Sequence, residues 1–159
     1  KYWFEEAKVN DLLRIEGPMG SFYLREAQCE NIVFLATGTG IAPIKAILES
    51  VLEAPDNFSK SKFWIFVGAR SRADLLWEPT FNNENTKIEY IPVLSRQVTD
   101  WDGEIGYVQD AVLKQNLDLE KTQVYACGSN EMIQSAKKLL FENSLNEKNF
   151  FSDAFVKTN

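Results

Sequence analysis

Four segments of the sequence place glycine, hydroxyl, guanidinium or thiol groups directly after an apolar stretch. The first of them follows the apolar run 32–36 and reads Thr37-Gly38-Thr39-Gly40-Ile41-Ala42-Pro43. Closely spaced glycines allow the backbone to turn sharply and a ligand to approach it closely. A helix that begins directly after such a turn directs its free amides and the positive end of its dipole toward the turn. This segment is therefore a candidate site for a phosphate or pyrophosphate group.

The first segment departs from two common phosphate-binding patterns. Pro43 stands where the pattern G-x-G-x-x-G has its third glycine. The lysine of a P-loop is also missing, which excludes an NTPase loop. On local pattern alone, a glycine-rich connection between a strand and a helix, without any ligand, is the alternative interpretation.

Guanidinium groups characterise the second and third segments. Gly68-Ala69-Arg70-Ser71-Arg72 follows the apolar run 63–67, and Ser95-Arg96 follows the stretch 87–94. Arginines at a strand end can clamp a phosphate, and a hydroxyl beside a guanidinium suits a ribose or its 2′-phosphate. Solvated surface loops are the alternative for both segments. No acid follows 63–67, so the carboxylate that binds ribose in NAD-type folds is not at its usual place.

The fourth segment, Cys127-Gly128-Ser129, carries a thiol between an apolar stretch and the start of a helical pattern. The positive field at a helix N-terminus favours the thiolate form of a cysteine. A buried structural cysteine is the alternative. Cys29 has no comparable surroundings in the sequence, and we interpret it as structural.

The elements that must position these segments alternate between apolar strands and amphipathic helices. Strands are predicted over 32–36, 63–67, 87–94, 123–127 and 150–155. Helices are predicted over 41–52, 73–81, 107–117 and 129–145, the last with Ser129 as its N-cap. The alternation predicts an α/β fold with a doubly wound five-stranded parallel sheet, covered by helices on both faces. Such sheets bind ligands at the carboxyl ends of their strands, where all four segments lie.

Residues 1–26 differ from the rest of the chain. Two short strands are predicted over 11–16 and 21–25, around a turn at Gly17-Pro18-Met19-Gly20. Two strands are not stable alone, so they require a sheet from elsewhere or contact with the rest of the chain. We therefore divide the chain into 1–26 and a main domain over 27–159. Because Lys1 is not Met and the first residues read as the middle of a domain, we interpret the chain as a fragment.

Composition excludes several classes of function. Of 159 residues, 17 are Lys or Arg and 23 are Asp or Glu, a net charge of −6, which disfavours general binding of nucleic acid. Histidine is absent, which excludes imidazole-based nucleophile pairs and His-ligated metals. The two cysteines cannot ligate an iron–sulfur cluster within this chain, and they favour a reducing, cytoplasmic setting. The apolar runs fall far short of the ~20 residues of a membrane-spanning helix, so no membrane partner is predicted.

Taken together, the motifs resemble those of the ferredoxin–NADP reductase superfamily. In chain order they are Gly17-Pro18-x-Gly20-x-Phe22, Gly38-Thr39-Gly40-Ile41-Ala42-Pro43, Gly68-Ala69-Arg70, Ser95-Arg96, Gly106-Tyr107-Val108 and Cys127-Gly128-Ser129-x-x-Met132. The segment 101–110 resembles the branch of oxygenase reductases. Within that branch, residues 16–24 and the ending 151–156 are similar to the CDP-6-deoxy-glucoseen reductases. Those enzymes supply electrons to 3-deoxysugar formation for bacterial surface polysaccharides.

The resemblance implies a division of labour between domains and roles for particular residues. Members carry FAD on a β-barrel, bind NADH or NADPH on the α/β domain that follows, and pass hydride from the nicotinamide to the flavin. Electrons then leave singly, often through an iron–sulfur domain. The positions that match cofactor-binding ones are Thr37, Gly38, Thr39, Gly40, Ile41, Pro43, Gly68, Arg70, Ser95, Arg96, Cys127, Gly128 and Met132. The positions that match catalytic ones are Thr39 and Cys127, beside the nicotinamide, and Phe155, over the flavin ring.

These implications lead to expectations about the fragment. Residues 1–26 would be the last two strands of the flavin barrel, so the chain would keep the nicotinamide pocket, bind FAD weakly and show little turnover alone. Without the barrel, aromatic residues would be exposed and would favour self-association: Trp3, Phe4, Phe22, Phe150, Phe151 and Phe155. The expected partner is an electron acceptor, a sugar dehydratase or an iron–sulfur domain. A reductase component of an aromatic oxygenase and a non-catalytic nucleotide sensor are the alternatives, and the choice between NADH and NADPH is left open.

Overall fold

The computed structural model describes residues 2–17, 19–25, 29–54, 58–80, 87–96 and 99–154. Its strands are β1 (Asn31–Thr37), β2 (Lys62–Ala69), β3 (Ile88–Leu94), β4 (Glu104–Ile105), β5 (Thr122–Gly128) and β6 (Phe150–Ala154). Its α-helices are α1 (Ile41–Glu53), α2 (Val108–Lys114) and α3 (Asn130–Glu142). Among the described helices, none has the length and apolarity needed to cross a membrane.

All six strands form one parallel sheet in the order β4-β3-β2-β1-β5-β6. The order reverses at β1, which pairs with β2 on one side and with β5 on the other. The five predicted strands and the doubly wound α/β fold are confirmed. The sixth strand, β4, was not predicted, because it has two residues and pairs only with Val93 and Leu94 of β3, too short a segment to show alternation.

Helices cover both faces of the sheet. The central strand β1 is therefore buried on both sides, and its sequence is apolar without interruption. Val33 and Leu35 belong to the core beneath α2 and α3. Phe34 and Ala36 point to the opposite face and pack in the core beneath α1. A strand buried on both faces carries apolar residues at every position. The two cores hold the carboxyl ends of β1, β2 and β5 in fixed positions at one rim of the sheet.

Four of the predicted elements are absent or clearly shorter than expected. The strands predicted over 11–16 and 21–25 do not form: the described part of these segments is irregular, and a π-helical turn, Tyr2–Glu6, precedes them. Two strands without a third partner bury too little to be stable. The helix predicted over 73–81 is reduced to a 3₁₀ turn, Arg72–Asp74. Helix α2 is shorter than the predicted 107–117, because Asn116 adopts a positive φ of 51° just beyond its end.

The irregular N-terminal segment is attached to the sheet by Arg25. Its backbone N–H donates to the Tyr125 hydroxyl at 3.0 Å, and its guanidinium lies 3.9 Å from the ring centroid of Phe151. The same guanidinium donates to the carbonyls of Ser21 and Tyr23. These contacts fix 21–25 against β5 and β6.

The exposure expected of the terminal aromatic residues is partly wrong. Phe150 is buried against Phe141 of α3, because it begins a strand that pairs with β5. Phe22 and Phe151 are half-buried around Tyr125. The side chains of Trp3 and Phe4, and the whole of Phe155, lie outside the described residues. The large exposed apolar residues described at the N-terminus are others: Tyr2, Val9, Leu12, Leu13, Ile15, Met19 and Tyr23.

Candidate functional site

The turn after β1 and the end of β5 are in direct contact. The Thr37 hydroxyl accepts a hydrogen bond from the backbone N–H of Ser129 at 3.1 Å. A Cβ atom at Gly40 would lie 2.5 Å from the carbonyl carbon of Cys127 and 2.9 Å from the amide nitrogen of Gly128. Gly128 itself has a φ of 147°, a region that favours glycine. The close approach of the two loops therefore depends on glycine at both positions.

A groove with a volume of about 1130 Å³ opens beside this contact, at the carboxyl ends of β1, β2 and β5. Seven of the predicted residues line it: Thr37, Gly38, Thr39, Gly68, Arg70, Ser95 and Met132. A second, more open depression of about 520 Å³ lies at the edge of the sheet beside β3 and β4, and no predicted residue lines it. The groove is therefore the candidate site.

The ends of β2 and β3 stay paired beyond the strands and form one side of the groove. The backbone N–H of Ser95 donates to the Ala69 carbonyl at 2.9 Å, and that of Arg96 donates to the Arg70 carbonyl at 3.1 Å. The Ser95 hydroxyl also donates to the Ala69 carbonyl, at 3.2 Å. This pairing places Arg70 and Ser95 at the same edge, although 25 positions of sequence separate them.

Helices α1 and α3 have different N-termini beside the groove. The N-cap of α1 is Gly40, which has no side chain to cap the helix. The N-cap of α3 is Ser129, as predicted, and its hydroxyl accepts a hydrogen bond from the Met132 N–H at 3.2 Å. Free amides at the start of a helix bind anions. The N–H of Ile41 already donates to the Gly38 carbonyl, and Pro43 has no N–H, so what the first turn of α1 offers the predicted phosphate turn is the positive end of its dipole.

The predicted residues that do not line the groove fall into three groups. Gly40, Cys127 and Gly128 form the backbone contact at its end. Ile41 is buried in the core beneath α1, and Pro43 lies in the first turn of that helix. Arg96 is exposed outside the groove lining, and Phe155 lies outside the described residues.

Of the two alternatives for Cys127, the structure agrees with a buried cysteine and not with a thiolate. The side chain is fully buried in the core beneath α1. Burial, together with the Asp153 carboxylate on β6, raises the pKa of the Cys127 thiol to about 11. These effects outweigh the helix field, so the group is a neutral thiol near pH 7. Cys29 is also buried, which agrees with a structural role.

Several groove residues were not predicted from the sequence, most of them on α2 and α3 or directly before α2: Asp74, Gly106, Tyr107, Val108, Gln109, Asn130, Glu131, Ser135 and Ala154. Gly106-Tyr107-Val108 contributed to the resemblance but received no role. Helices that follow the carboxyl ends of parallel strands begin at the ligand crevice. That rule was available from the sequence and points to the first turns of both helices.

Gln109 differs from the other missed residues because it is both buried and polar. Its side chain is 8% exposed. Within the described part of the chain, its Oε1 atom has no hydrogen-bond partner. Nearly all buried polar atoms in native proteins are hydrogen-bonded, so this oxygen marks a position where a ligand can supply the donor.

Charges in the groove are mixed. Among its described lining residues, Arg70 is positive, whereas Asp74 and Glu131 are negative. The Asp74 carboxylate accepts hydrogen bonds from the backbone N–H and the hydroxyl of Ser71, at 3.0 and 2.8 Å. These bonds hold it in a fixed position on the 3₁₀ turn after β2.

Comparisons with known proteins agree with this geometry. The family model described as "Oxidoreductase NAD-binding domain" matches residues 34–138. The chain is 42% identical over 154 residues to the CDP-6-deoxy-L-threo-D-glycero-4-hexulose-3-dehydrase reductase of Yersinia pestis, covering 96% of this chain and 46% of that protein. It is 29% identical to the anthranilate 1,2-dioxygenase electron transfer component of Acinetobacter baylyi, covering 99% of this chain and 46% of that protein.

A solved structure shows the same fold. The Amycolatopsis cytochrome P450 reductase GcoB superposes with a TM-score of 0.77 at 23% identity, covering 87% of this chain and 42% of that one. The chain spans about half the length of the curated relatives it matches. The family model covers more than half of the chain, including the turn after β1 and the loop after β5. The chain therefore belongs to the oxidoreductase NAD-binding domain family, within the ferredoxin–NADP reductase superfamily.

Proposed function

We propose that this chain is the part of a flavin-dependent reductase that binds NADH or NADPH, with the dinucleotide lying in the groove. The observation that carries the proposal is the backbone contact between the turn after β1 and the end of β5, beside an open groove. This contact sits where the strand order reverses. In open parallel sheets, nucleotides bind at such a reversal, at the carboxyl ends of the strands.

The diphosphate is assigned to the turn Gly38–Gly40 and the first turn of α1. The N-cap glycine leaves the helix amides without a side-chain acceptor. An anion in the turn interacts favourably with the positive end of the α1 dipole. Thr39 lines the groove beside this turn, and its hydroxyl is available to position the ligand.

The two halves of the dinucleotide are assigned to opposite sides of this turn. Met132 and Ala154 line the groove near β5 and β6, next to the buried Cys127, and suit the nicotinamide. Arg70 and Ser95 lie on the other side, at the ends of β2 and β3, and suit the adenosine. Because the Cys127 thiol is neutral and fully buried, its role is to shape the nicotinamide end without acting as a nucleophile.

The charge of the groove favours NADH over NADPH. A 2′-phosphate carries about two negative charges near neutral pH. The lining offers the Arg70 guanidinium but also the carboxylates of Asp74 and Glu131. Arg96, the expected second cation, does not line the groove. Like charges at a binding site oppose the charged ligand, so the uncharged 2′-hydroxyl of NADH is the better match.

The flavin is assigned to residues outside the described part of the chain. The described part of 2–25 contains no barrel strand, and the groove is accounted for by the dinucleotide. In the whole protein, FAD would accept the hydride and release electrons singly to an iron–sulfur acceptor. This chain's contribution is to bind the nicotinamide nucleotide and fix its orientation, since hydride transfer requires close, aligned reactants.

Formation of a CDP-deoxysugar is the pathway we assign to the whole protein. The 42% identity to the Yersinia reductase supports it more strongly than the 29% identity to the anthranilate dioxygenase component supports an aromatic oxygenase. A longer protein containing this chain should reduce a CDP-sugar dehydratase with NADH. Reduction of an oxygenase instead would favour the second assignment, and a longer protein without flavin would favour the nucleotide sensor.

Titration of the chain with NADH, followed by calorimetry, tests the binding site directly. We expect saturable binding to one site, weaker binding of NADPH, and loss of affinity for NADH in Arg70→Ala. Arg14→Ala is the matched control, because Arg14 pairs with Glu16 on the N-terminal segment, away from the groove. Absence of saturable binding, or equal effects of the two substitutions, would contradict the proposed site.

A further inference from the structure

Residues 21–25, which we call the strap, are attached to the sheet through Tyr125 of β5. The Tyr125 hydroxyl accepts a hydrogen bond from the Arg25 backbone N–H and donates one to the Gln123 Oε1 atom, both at 3.0 Å. Its ring meets that of Phe22 edge-on, with 6.1 Å between the centroids. Because Tyr125 is fully buried, its hydroxyl is a fixed point to which the backbone of the strap is bonded.

The Arg25 guanidinium attaches the strap a second time. It lies 3.9 Å from the ring centroid of Phe151 on β6 and 4.6 Å from that of Tyr23. It also donates to the carbonyls of Ser21 and Tyr23, at 3.2 and 3.3 Å. A guanidinium against aromatic rings is held by cation–π attraction in addition to its hydrogen bonds. The strap is therefore bonded to β5 through its backbone and to β6 through its cation.

The strand that holds the strap also leads to the end of the groove assigned to the nicotinamide. Side chains alternate between the faces of a strand, so Tyr125 and Cys127 share one face, and two residues of a strand span about 7 Å. Both side chains belong to the core beneath α1. Their register partners on β6 are Phe151 and Asp153, and Ala154, the next residue, lines the groove. The strap is thus attached close to the end of the groove where the nicotinamide is assigned.

On the other side of the strap, the N-terminal segment offers a surface to another part of the whole protein. Leu12 and Ile15 are almost fully exposed, and exposed apolar side chains grouped together mark a surface that a partner covers. In the proposed function, on which this inference rests, the hydride acceptor belongs to a part of the protein outside the described chain. The strap joins the segment that can contact this part to the sheet that binds the nicotinamide.

We propose that Tyr125 is a positioning residue for hydride transfer: its hydroxyl fixes the strap, and the strap aligns the part of the protein that holds the hydride acceptor with the nicotinamide. Tyr125 is buried and is not among the described residues that line the groove, so it acts through Arg25. Hydride transfer requires reacting atoms about 3–3.5 Å apart, and a misplacement of about 1 Å can cost about 100-fold in rate. Loss of this one hydroxyl should therefore slow the transfer without weakening the binding of NADH.

The first experiment measures the attachment itself, in the chain without ligand. Tyr125→Phe removes the hydroxyl and keeps the ring. Tyr90→Phe is the matched control, because Tyr90 packs against the same core and its hydroxyl donates to the Trp77 carbonyl, at 2.8 Å, rather than to the strap. Hydrogen exchange of the Arg25 amide should be about tenfold faster in Tyr125→Phe, since one hydrogen bond is lost, and unchanged in Tyr90→Phe. An unchanged rate in Tyr125→Phe would overturn the inference.

The second experiment measures hydride transfer in a longer protein that contains this chain and holds flavin, by stopped-flow reduction with NADH. In Tyr125→Phe, the rate constant at saturating NADH should fall about tenfold or more, while the Kd of NADH stays within about twofold of wild type. Tyr90→Phe should keep both values. A full rate in Tyr125→Phe, or equal losses in both variants, would overturn the inference and leave the proposed function intact. Absence of NADH binding to wild type would overturn both.

A variant of the strap tests the same hydrogen bond from its donor side. Arg25→Pro removes the backbone N–H, because proline has none, together with the guanidinium contacts, and it leaves the core residue Tyr125 in place. Hydride transfer should slow at least as much as in Tyr125→Phe, again with the Kd of NADH unchanged. A full rate in Arg25→Pro would overturn the inference even if Tyr125→Phe did not fold.

Discussion

At the scale of single residues, Gly40 and Gly128 matter because backbone from another loop occupies the space where a side chain would be. Gly40 has a φ of −58°, which any residue adopts, so the requirement for glycine there comes from contact alone. Gly128 adds a positive φ to the same requirement. Both glycines hold the ends of β1 and β5 together.

Gly40→Ala tests this contact without a change in backbone preference. The new methyl group would lie 2.5 Å from the Cys127 carbonyl carbon, so one of the two loops must move. We expect a loss of about 1–3 kcal/mol in the free energy of unfolding and weaker binding of NADH. Chemical denaturation and titration measure the two effects. Gly17→Ala is the control, because nothing lies within 4 Å of its Cβ position; equal stability of both variants would refute the argument.

The buried thiol of Cys127 makes stability depend on pH in the alkaline range. Burial and Asp153 raise its pKa from about 9 to about 11 in the folded chain. The neutral thiol makes its full contribution to the free energy of unfolding below about pH 9. This contribution is lost as the pH rises toward 11, because the thiol ionises in the unfolded chain before it ionises in the folded chain. Two pKa units correspond to about 2–3 kcal/mol at most. Unfolding curves of wild type and Cys127→Ala should converge over this range, and parallel curves would show that the thiol does not titrate in this way.

The glycine turns could be found from the sequence because glycine is informative by itself. Thr37, Gly38 and Thr39 line the groove. Arg96 adjoins a groove residue, Ser95, but is not among the lining residues, and the sequence does not show the direction of its side chain. Gln109 could not be identified as buried, because a glutamine near the start of a helix is ordinarily solvated.

At the scale of elements, helix α3 combines a stabilising cap with a wall of the groove. Ser129 caps the helix through the Met132 N–H, and it also lines the groove. One residue therefore affects both stability and binding, and two substitutions separate these effects.

Ser129→Ala should lower the free energy of unfolding by about 1 kcal/mol, the usual cost of losing an N-cap. Ser129→Asp should keep the stability, since aspartate caps as well as serine, but its negative charge in the groove should weaken NADH binding several-fold. Denaturation and titration measure each effect. Asn146→Ala removes the cap of a 3₁₀ turn outside the groove lining and should leave binding unchanged. If Ser129→Asp binds NADH as tightly as wild type, the anion does not lie near α3.

Whether an element could be predicted depended on how clearly its packing partners leave a pattern in its own sequence. The five long strands were found because both of their faces are covered, which leaves an apolar run in the sequence. Strand β4 was missed because two residues define no period. The strands predicted over 11–16 and 21–25 were wrong, because local alternation does not show whether a partner strand exists.

At the scale of the whole molecule, the N-terminal segment presents apolar side chains to solvent. Val9, Leu12, Ile15 and Met19 are 92, 100, 86 and 82% exposed. Exposed apolar patches favour association. The self-association expected from the sequence stays a prediction, with these residues in place of the terminal aromatics as its cause.

Sedimentation velocity over a range of concentrations tests this prediction. We expect wild type to associate as its concentration rises and the double variant Leu12→Gln, Ile15→Gln to remain monomeric at the same concentrations. Leu76→Gln replaces a residue that is 61% exposed elsewhere on the surface and should behave as wild type does. A monomeric wild type at all concentrations would show that the segment does not self-associate.

The hydrogen bond between Thr37 and Ser129 joins groups that are 92 positions apart in the chain. Contacts across such long spans form late, because closing a long loop costs entropy before any contact compensates for it. A molecule that has joined β1, β2 and β3 but has not yet paired β1 with β5 has the phosphate turn without the loop after β5 beside it. We therefore expect coenzyme to bind only after folding is complete. In the cell, the nicotinamide nucleotide pool would then shift newly made chains toward the native state by mass action.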